Sequence, residues 1–299
     1  MKAAGLKILR VPSLDGGSRE IVSIEKMWRE AEGMIRNDTV QFDFSLSRFL
    51  DPRAVVLVGG LVHTLRQRGC VCSIGANTMR GSIRTNLEQN GFASAMGAQR
   101  GPWLGNSIPY REDLVENKDG IVRYLEQEWL GRGWMSVSKD LAHAIVGQVW
   151  EIYANAFEHG ASGPGVLTCG QYFPQLKQLA IAIGDFGVGI PRNVRTTIGA
   201  SASGEIAMRW AMTRGTTTAK TSPLIARGLG LDLLKAFVEA NNGMLDICSG
   251  DGRVVIDGAS EKFQTLQNGG VRGTIVHLRL RCDGKQYDLR GPAQEGPYF

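Results

Sequence analysis

The middle of the chain holds its clearest structural signal, a stretch of helical periodicity from about Ser138 to His159. The apolar residues of this stretch recur at helical spacing, which aligns them along one side of a long helix. They are Leu141, Ile145, Val149, Ile152 and Ala156. Hydrophobic residues form 43% of the 299-residue chain and charged residues 21%, so the protein can bury a sizeable core and is not disordered.

Charge and hydropathy limit the partners and the location of the protein. A net charge of +5 allows an anionic partner such as a nucleotide but does not require one. No apolar run reaches the ~18 residues of a membrane helix, and the first residues lack the apolar stretch of a signal peptide. We therefore expect a cytoplasmic protein with no membrane partner and no specific nucleic-acid partner.

The five cysteines and four histidines argue against a metal site built from these residues. The cysteines are irregularly spaced, and Cys70 and Cys72 alternate within an apolar run, which is typical of reduced cysteines in a strand. No histidine forms a metal-ligand pair with a nearby histidine or cysteine.

The N-terminal part reads as a small α/β unit. Its pattern predicts a helix capped by Ser18, a strand over Val40–Ser45, a helix from Asp51 to Arg68, a strand over Cys70–Gly75 and a helix over Ser82–Gln89. From Thr39 to Met96 this order, with the phrase FLDPRAVVLVGGL, resembles the STAS-type domain of anti-sigma-factor antagonists. Many members carry a phosphorylated serine where this chain has Asp51-Pro52-Arg53, so the resemblance implies a binding or scaffolding role. An unrelated small α/β module is the alternative.

These patterns predict four segments. Residues 1–96 would form the STAS-like domain with its N-terminal helix, and residues 97–119, rich in Gly, Pro and Asn, would form a linker. Residues 120–282 would form a second domain, and residues 283–299 a polar tail.

The polar residues at the end of the long helix are candidates for chemistry. A spacing of four residues places Glu151, Asn155 and His159 along one face. An Asn amide oxygen suits Mg²⁺, and a carboxylate one turn away can orient or deprotonate a water or a hydroxyl. The alternative is a solvated helix face.

Three further glycine-bearing motifs follow. A short apolar strand, Leu179–Ile183, delivers Asp185 to the end of a sheet, where it can accept a hydrogen bond from an exocyclic amine. Gly187 and Gly189 let the backbone approach a flat ligand, although Asp and Gly are also common in turns. The loop Ala226–Leu231, which enters a helix running to Ala240, offers free N–H groups for phosphate and matches neither a P-loop nor a Rossmann fingerprint. Gly273-Thr274 then lead an alternating terminal strand.

Taken in order from Ser136 to Arg281, these four motifs closely resemble the GHKL ATPase domain, the Bergerat-fold family that includes gyrase, Hsp90, MutL and histidine kinases. The wording around Glu151 and Asn155 is nearest the anti-sigma serine-kinase branch. The resemblance implies an α+β protein whose C-terminal domain is an α/β sandwich, with a mixed parallel and antiparallel sheet and helices on one face. It implies ATP and Mg²⁺ as cofactors.

The resemblance also implies a role for each matching residue. Glu151 would be the general base, Asn155 would bind Mg²⁺, and Asp185 would read the adenine amine with Thr274 acting through a water. Gly187 and Gly189 would shape the adenine pocket, and His159 would have either a ligand role or a supporting or packing role. The phosphates would be held by the backbone of Gly228, Leu229, Gly230 and Leu231.

The segment from Ile190 to Arg227 would be the ATP lid. It holds one acidic residue, Glu205, and six basic residues, which are Arg192, Arg195, Arg209, Arg214, Lys220 and Arg227. This bias suits a triphosphate, and Lys220 and Arg227 adjoin the glycine loop, although a solvated basic loop is the alternative for each residue.

Three functions remain open on the sequence. The first is a regulatory kinase that transfers phosphate to a partner protein's Ser or Thr, or a related Mg-dependent ATPase. The second is an ATP-driven conformational switch, and the third is a non-catalytic nucleotide-binding scaffold. The STAS-like domain would contact partner proteins, and a homodimer is possible. A sensor histidine kinase is disfavoured because His143 lies inside the long helix and is followed by Ala-Ile-Val.

Overall fold

The computed structural model describes residues 5–14, 20–98, 105–159, 165–213 and 231–289. Nine α-helices lie in these ranges: α1 Glu20–Glu32, α2 Pro52–Gln67, α3 Gly81–Gln89, α4 Phe92–Ala95, α5 Lys118–Tyr124, α6 Lys139–His159, α7 Ile190–Ile198, α8 Gly204–Met212 and α9 Asp232–Asn241. A short 3-10 helix spans Ala76–Thr78, and a π-helical turn, Leu125–Leu130, continues α5. None of the helices in these ranges combines the length and apolar character needed to cross a bilayer.

Twelve strands lie in the same ranges. They are β1 Leu6–Arg10, β2 Thr39–Asp43, β3 Val71–Ile74, β4 Ser107–Asp113, β5 Ser136–Val137, β6 Val166–Phe173, β7 Gln178–Asp185, β8 Met244–Gly250, β9 Gly252–Asp257, β10 Ser260–Thr265, β11 Val271–Arg281 and β12 Gln286–Tyr287. The protein is therefore a mixed α+β protein, as the sequence predicts at this coarse level.

From α1 onward the N-terminal part follows the predicted order of elements, but strand β1, which no sequence pattern indicated, precedes it. β1, β2 and β3 form a parallel sheet in that order, and α2 connects β2 to β3. Asp51 caps α2, because its carboxylate accepts a hydrogen bond from the Ala54 N–H, and Pro52 occupies the first turn. The predicted cap Ser18 lies outside the described residues.

The large sheet has seven strands in the order β10-β9-β8-β11-β7-β6-β4, and every neighbouring pair is antiparallel. The prediction of a mixed sheet was therefore wrong. Tight connections join β6 to β7, β8 to β9 and β9 to β10. A connection of that length can only reverse the chain direction, so these pairs must be antiparallel.

Helices cover both faces of this sheet, which corrects the prediction of helices on one face. Ile181 and Ile183 of β7 pack in one cluster with α6 and α9, whereas Ala182 packs in a second cluster with α1 and α2. The reason lies in α2, where every residue from Pro52 to Leu65 except His63 is buried. A helix that is apolar on all sides needs a cover on each side.

The predicted linker at 97–119 contains a strand. β4 pairs with β6 at the edge of the large sheet, and its register shifts between Ile108 and Arg111. Pro109 lies within this irregularity, where a missing N–H can be tolerated on an edge strand. The composition of this segment is typical of a loop, so its strand was missed.

The polar tail at 283–299 is also tied to the fold in part. β12 pairs with β5 in parallel, and the Tyr287 ring is buried edge-on against Phe237 of α9. One aromatic residue thus docks a segment whose composition is otherwise polar.

Candidate functional site

Asp185 ends β7 with its side chain buried. The Gly187 N–H donates a hydrogen bond to Asp185 Oδ1 at 3.0 Å. Burial raises the pKa of Asp185 to about 6, against the opposing effect of hydrogen bonds from Gly187 and Thr274. Each additional hydrogen-bond donor that reaches such a buried carboxylate stabilises its charged form.

One hydroxyl group lies beside this carboxylate, and a second hydroxyl group is hydrogen-bonded to the first. Thr274 of β11 is the direct cross-strand neighbour of Asp185, and its Oγ1 lies 2.9 Å from Ser249 Oγ of β8. Ser249 Oγ also lies 3.0 Å from the Gly273 carbonyl oxygen and accepts the Ile190 N–H at 2.7 Å. Sequence reasoning missed Ser249, because only the strand register shows that β8 places a hydroxyl next to Thr274.

The loop after Asp185 is shaped by its glycines. Gly189 has a φ of +79°, and a Cβ atom at this position would lie 3.0 Å from the Gly273 carbonyl oxygen. A side chain would therefore strain the backbone and press on β11 at once. The loop brings Asp185, Gly187, Gly189 and Thr274 together.

Phe186 anchors the same loop to the N-terminal helices. Its ring is buried and stacks on Trp28 of α1, with 5.8 Å between the ring centroids. It also covers Gly60 of α2, where a Cβ atom would meet the ring at 2.0–2.2 Å. The residue that follows Asp185 therefore contacts two elements of the predicted N-terminal domain. Sequence reasoning missed this contact, since no local pattern indicates it.

The long helix lies on the same side of the sheet as Asp185. The Tyr153 hydroxyl of α6 is hydrogen-bonded to Thr168 of β6, and Thr168 pairs with Ile183 of β7. Side chains two residues apart on a strand share a face, so Asp185 faces the α6 side. Glu151 and Asn155 lie half-buried on α6, one turn apart, and His159 ends the helix.

Two of the six basic residues assigned to the lid are engaged elsewhere. Arg195 of α7 pairs with Asp251 at 2.6 and 3.0 Å, and Arg209 of α8 pairs with Glu205. Arg192 is exposed. The segment thus begins as two packed helices rather than as a continuous basic loop, because carboxylates within reach bind these guanidinium groups.

The remaining predicted phosphate-binding residues can be placed only in part. Leu231 is buried just before α9. Arg214, Lys220, Arg227, Gly228, Leu229 and Gly230 lie outside the described residues. Within the described ranges, no group of three His, Cys, Asp or Glu side chains could hold a metal ion. A magnesium ion bound by Asn155 would therefore take most of its ligands from phosphate and water.

No family model matches this chain, and no curated protein shows significant similarity to it.

Proposed function

We propose that this protein binds ATP with Mg²⁺ at the α6 face of the large sheet, as the GHKL resemblance implies. The observation that carries the proposal is the buried carboxylate of Asp185 beside the hydroxyl of Thr274, which is in turn hydrogen-bonded to Ser249. The exocyclic amine of adenine is planar and would donate a further hydrogen bond to this carboxylate. Because residue 189 is a glycine, no side chain occupies the space next to the backbone of this loop.

Asn155 and Glu151 would serve the phosphate end of the nucleotide. The Asn155 amide oxygen is a neutral hard ligand suited to Mg²⁺, which neutralises phosphate charge when bound. Glu151, one turn earlier on α6, would orient or deprotonate the attacking water or protein hydroxyl. Both side chains lie on the helix that packs on the Asp185 face of the sheet. The product would be free phosphate or a phosphorylated partner.

A nucleotide-driven switch is the second candidate, and Phe186 favours it. The Phe186 ring packs on α1 and α2, while its chain neighbours Asp185 and Gly187 form the adenine side of the proposed pocket. A shift of the Asp185 loop on ligand binding would therefore displace a buried ring between the two N-terminal helices. Cores accommodate such a shift by moving between discrete packings rather than by continuous deformation.

Calorimetry with Mg-ATP tests the adenine assignment. We expect Asp185→Asn to weaken ATP binding by about 1–3 kcal/mol, the scale of a lost charged hydrogen bond. GTP, which has a carbonyl oxygen in place of the adenine amine, should bind the wild type more weakly and lose less on substitution. Asp257→Asn, a change at an exposed aspartate, is the matched control. Equal ATP affinity for Asp185→Asn and the wild type would discredit the assignment.

Incubation with γ-labelled ATP separates the remaining functions. Label on a protein Ser or Thr supports the kinase, free phosphate supports the ATPase or the switch, and tight binding with neither supports the scaffold. Glu151→Gln should abolish turnover and leave the ATP affinity nearly unchanged, because its role is in the chemical step. Turnover that persists in this variant would remove Glu151 from the mechanism.

A further inference from the structure

A cavity lies on the face of the large sheet opposite Asp185, beyond the N-terminal end of α2. It has a volume of about 170 Å³ and is lined mainly by Phe49, Asp51, Phe173, Ala180, His277 and Arg279. By strand alternation, Ala180 and His277 project away from the α6 side, where Asp185 lies. The cavity is thus separate from the proposed nucleotide site.

His277 is the feature of this cavity that points to a ligand. Its side chain is only 1% exposed, and neither ring nitrogen has a hydrogen-bond partner. Burial, reinforced by the positive charges of Arg53 and Arg279, holds the pKa of His277 well below its usual range. The imidazole is therefore neutral, with one N–H donor to offer. Buried polar groups without partners are uncommon in proteins, and a bound molecule would satisfy this donor.

Arg279 adds a positive charge to the same wall. Its guanidinium is half-buried and donates to Met244 Sδ at 2.9 Å, a weak acceptor. Burial and the charge of Arg53 lower its pKa against the opposing charges of Asp51, Glu20 and Asp246, and no carboxylate among the described residues lies within ion-pair distance of it. Asp51 also lines the cavity, but its carboxylate is occupied by Arg53 and the Ala54 N–H. An additional anion is the partner that Arg279 lacks.

Apart from Gln178, the rest of the cavity is apolar. The Phe49 and Phe173 rings lie with centroids 5.5 Å apart and planes tilted by 38°, and Ala180 has the smallest side chain in the wall. A volume near 170 Å³ is comparable to engineered cavities of about 150 Å³ that hold one benzene ring. The occupant would therefore be small, with a compact apolar body.

We propose that this cavity binds a small monocarboxylate, with the carboxylate on Arg279 and His277 and a ring or branched alkyl group packed against the paired rings of Phe49 and Phe173. Such a ligand would bridge the loop before α2 and strands β6, β7 and β11. Its binding would stabilise the contact between the N-terminal part and the sheet, since a ligand that binds only the folded state shifts unfolding.

Benzoate is the probe for the test, which uses the full chain. We expect a saturable change in the His277 ring resonances, assigned through the backbone of β11, with half-saturation below about 10 mM. The resonances of the exposed His143 provide an internal reference. A His277 ring that does not respond to benzoate in the folded protein would overturn the proposal.

Two comparisons test the ligand chemistry. Benzamide, which keeps the ring but has no charge, should bind the wild type at least about tenfold more weakly, and equal binding would overturn the carboxylate assignment. Arg279→Gln should weaken benzoate binding by a similar factor. Arg281→Gln, the same charge change at the exposed end of β11, should leave it unchanged. Equal losses in the two variants would mean that the net charge of the protein, rather than a contact with Arg279, governs benzoate binding. That result would also overturn the proposal.

Discussion

Burial of the Asp185 carboxylate destabilises the folded protein and also makes this group a candidate for ligand binding. Its carboxylate is buried and has a pKa near 6, so its charged form is less favourable in the folded protein than in the unfolded chain, although the group is still mostly ionised at pH 7. In the unfolded chain the same group titrates near 3.8. A donor brought by a ligand would recover part of this lost free energy, which is why a buried carboxylate is more informative than an exposed one.

Because of this pKa shift, the free energy of unfolding should depend on pH. Between pH 4 and 6 the native state holds more protons than the unfolded state, so the stability contribution of Asp185 falls as the pH rises. A shift from 3.8 to about 6 corresponds to about 3 kcal/mol. Asp185→Asn should therefore gain stability relative to the wild type between pH 4 and 7, measured by urea unfolding. A pH-independent difference would show that Asp185 is not perturbed, and Asp257→Asn serves as the control.

The helix α2 is the element that joins the two parts of the molecule. It packs between the small parallel sheet and the large antiparallel sheet, and Gly59 and Gly60 face side chains of the large sheet and the Asp185 loop. A glycine normally weakens a helix interior. Here it admits the Phe186 ring, so a helix-destabilising residue is retained for close packing.

Gly60→Ala should therefore destabilise the protein, by about 1–3 kcal/mol, because its methyl group would collide with the Phe186 ring. Gly147→Ala is the matched control, since this exposed glycine of α6 has no atom within 4 Å of the added methyl group. That variant should be neutral or gain up to about 1 kcal/mol. Chemical denaturation measures both, and equal behaviour of the two variants would contradict the packing argument. If Asp185 reads adenine, Gly60→Ala should weaken ATP binding as well.

A buried network of charges links the N-terminal helices to the large sheet. Arg53 of α2 bonds to Glu20 of α1, to Asp51 and to Asp246 of β8, and Arg253 of β9 holds the same Asp246. Burial opposes the charge of Arg53, but the three carboxylates outweigh it and raise its pKa. At the scale of the whole molecule, residues on both sides of the predicted linker share this network and one hydrophobic cluster.

Removal of this cation should be costly. Arg53→Met leaves three buried carboxylates without their shared partner, and we expect a loss of about 3–5 kcal/mol in unfolding free energy. Arg209→Met, which breaks the exposed pair with Glu205, should change stability by less than about 1 kcal/mol. Thermal and urea unfolding provide the comparison. Similar losses in the two variants would show that the buried network does not hold the two parts together.

Local patterns in the sequence were sufficient for the elements with strong periodicity. The predicted long helix begins within one residue of α6 and ends with it, and the terminal strand led by Gly273 and Thr274 is β11. The start of α2 at Asp51-Pro52 was likewise readable, because the signal for a helix start depends on neighbouring residues alone. Strand β4 was not readable, since its proline and charged residues are typical of a loop.

The sequence by itself determined which candidate site residues lie at the ends of strands and helices. Helical and strand periods and glycine positions are local properties, so they can be read without the tertiary structure. Only the tertiary structure decided what those residues meet. The register of β8 against β11 placed Ser249 beside Thr274, and the packing of α2 placed Gly60 against Phe186. These contacts join residues far apart in the chain, and the hydrophobic burial that drives them is non-directional, so no local pattern specifies the partner.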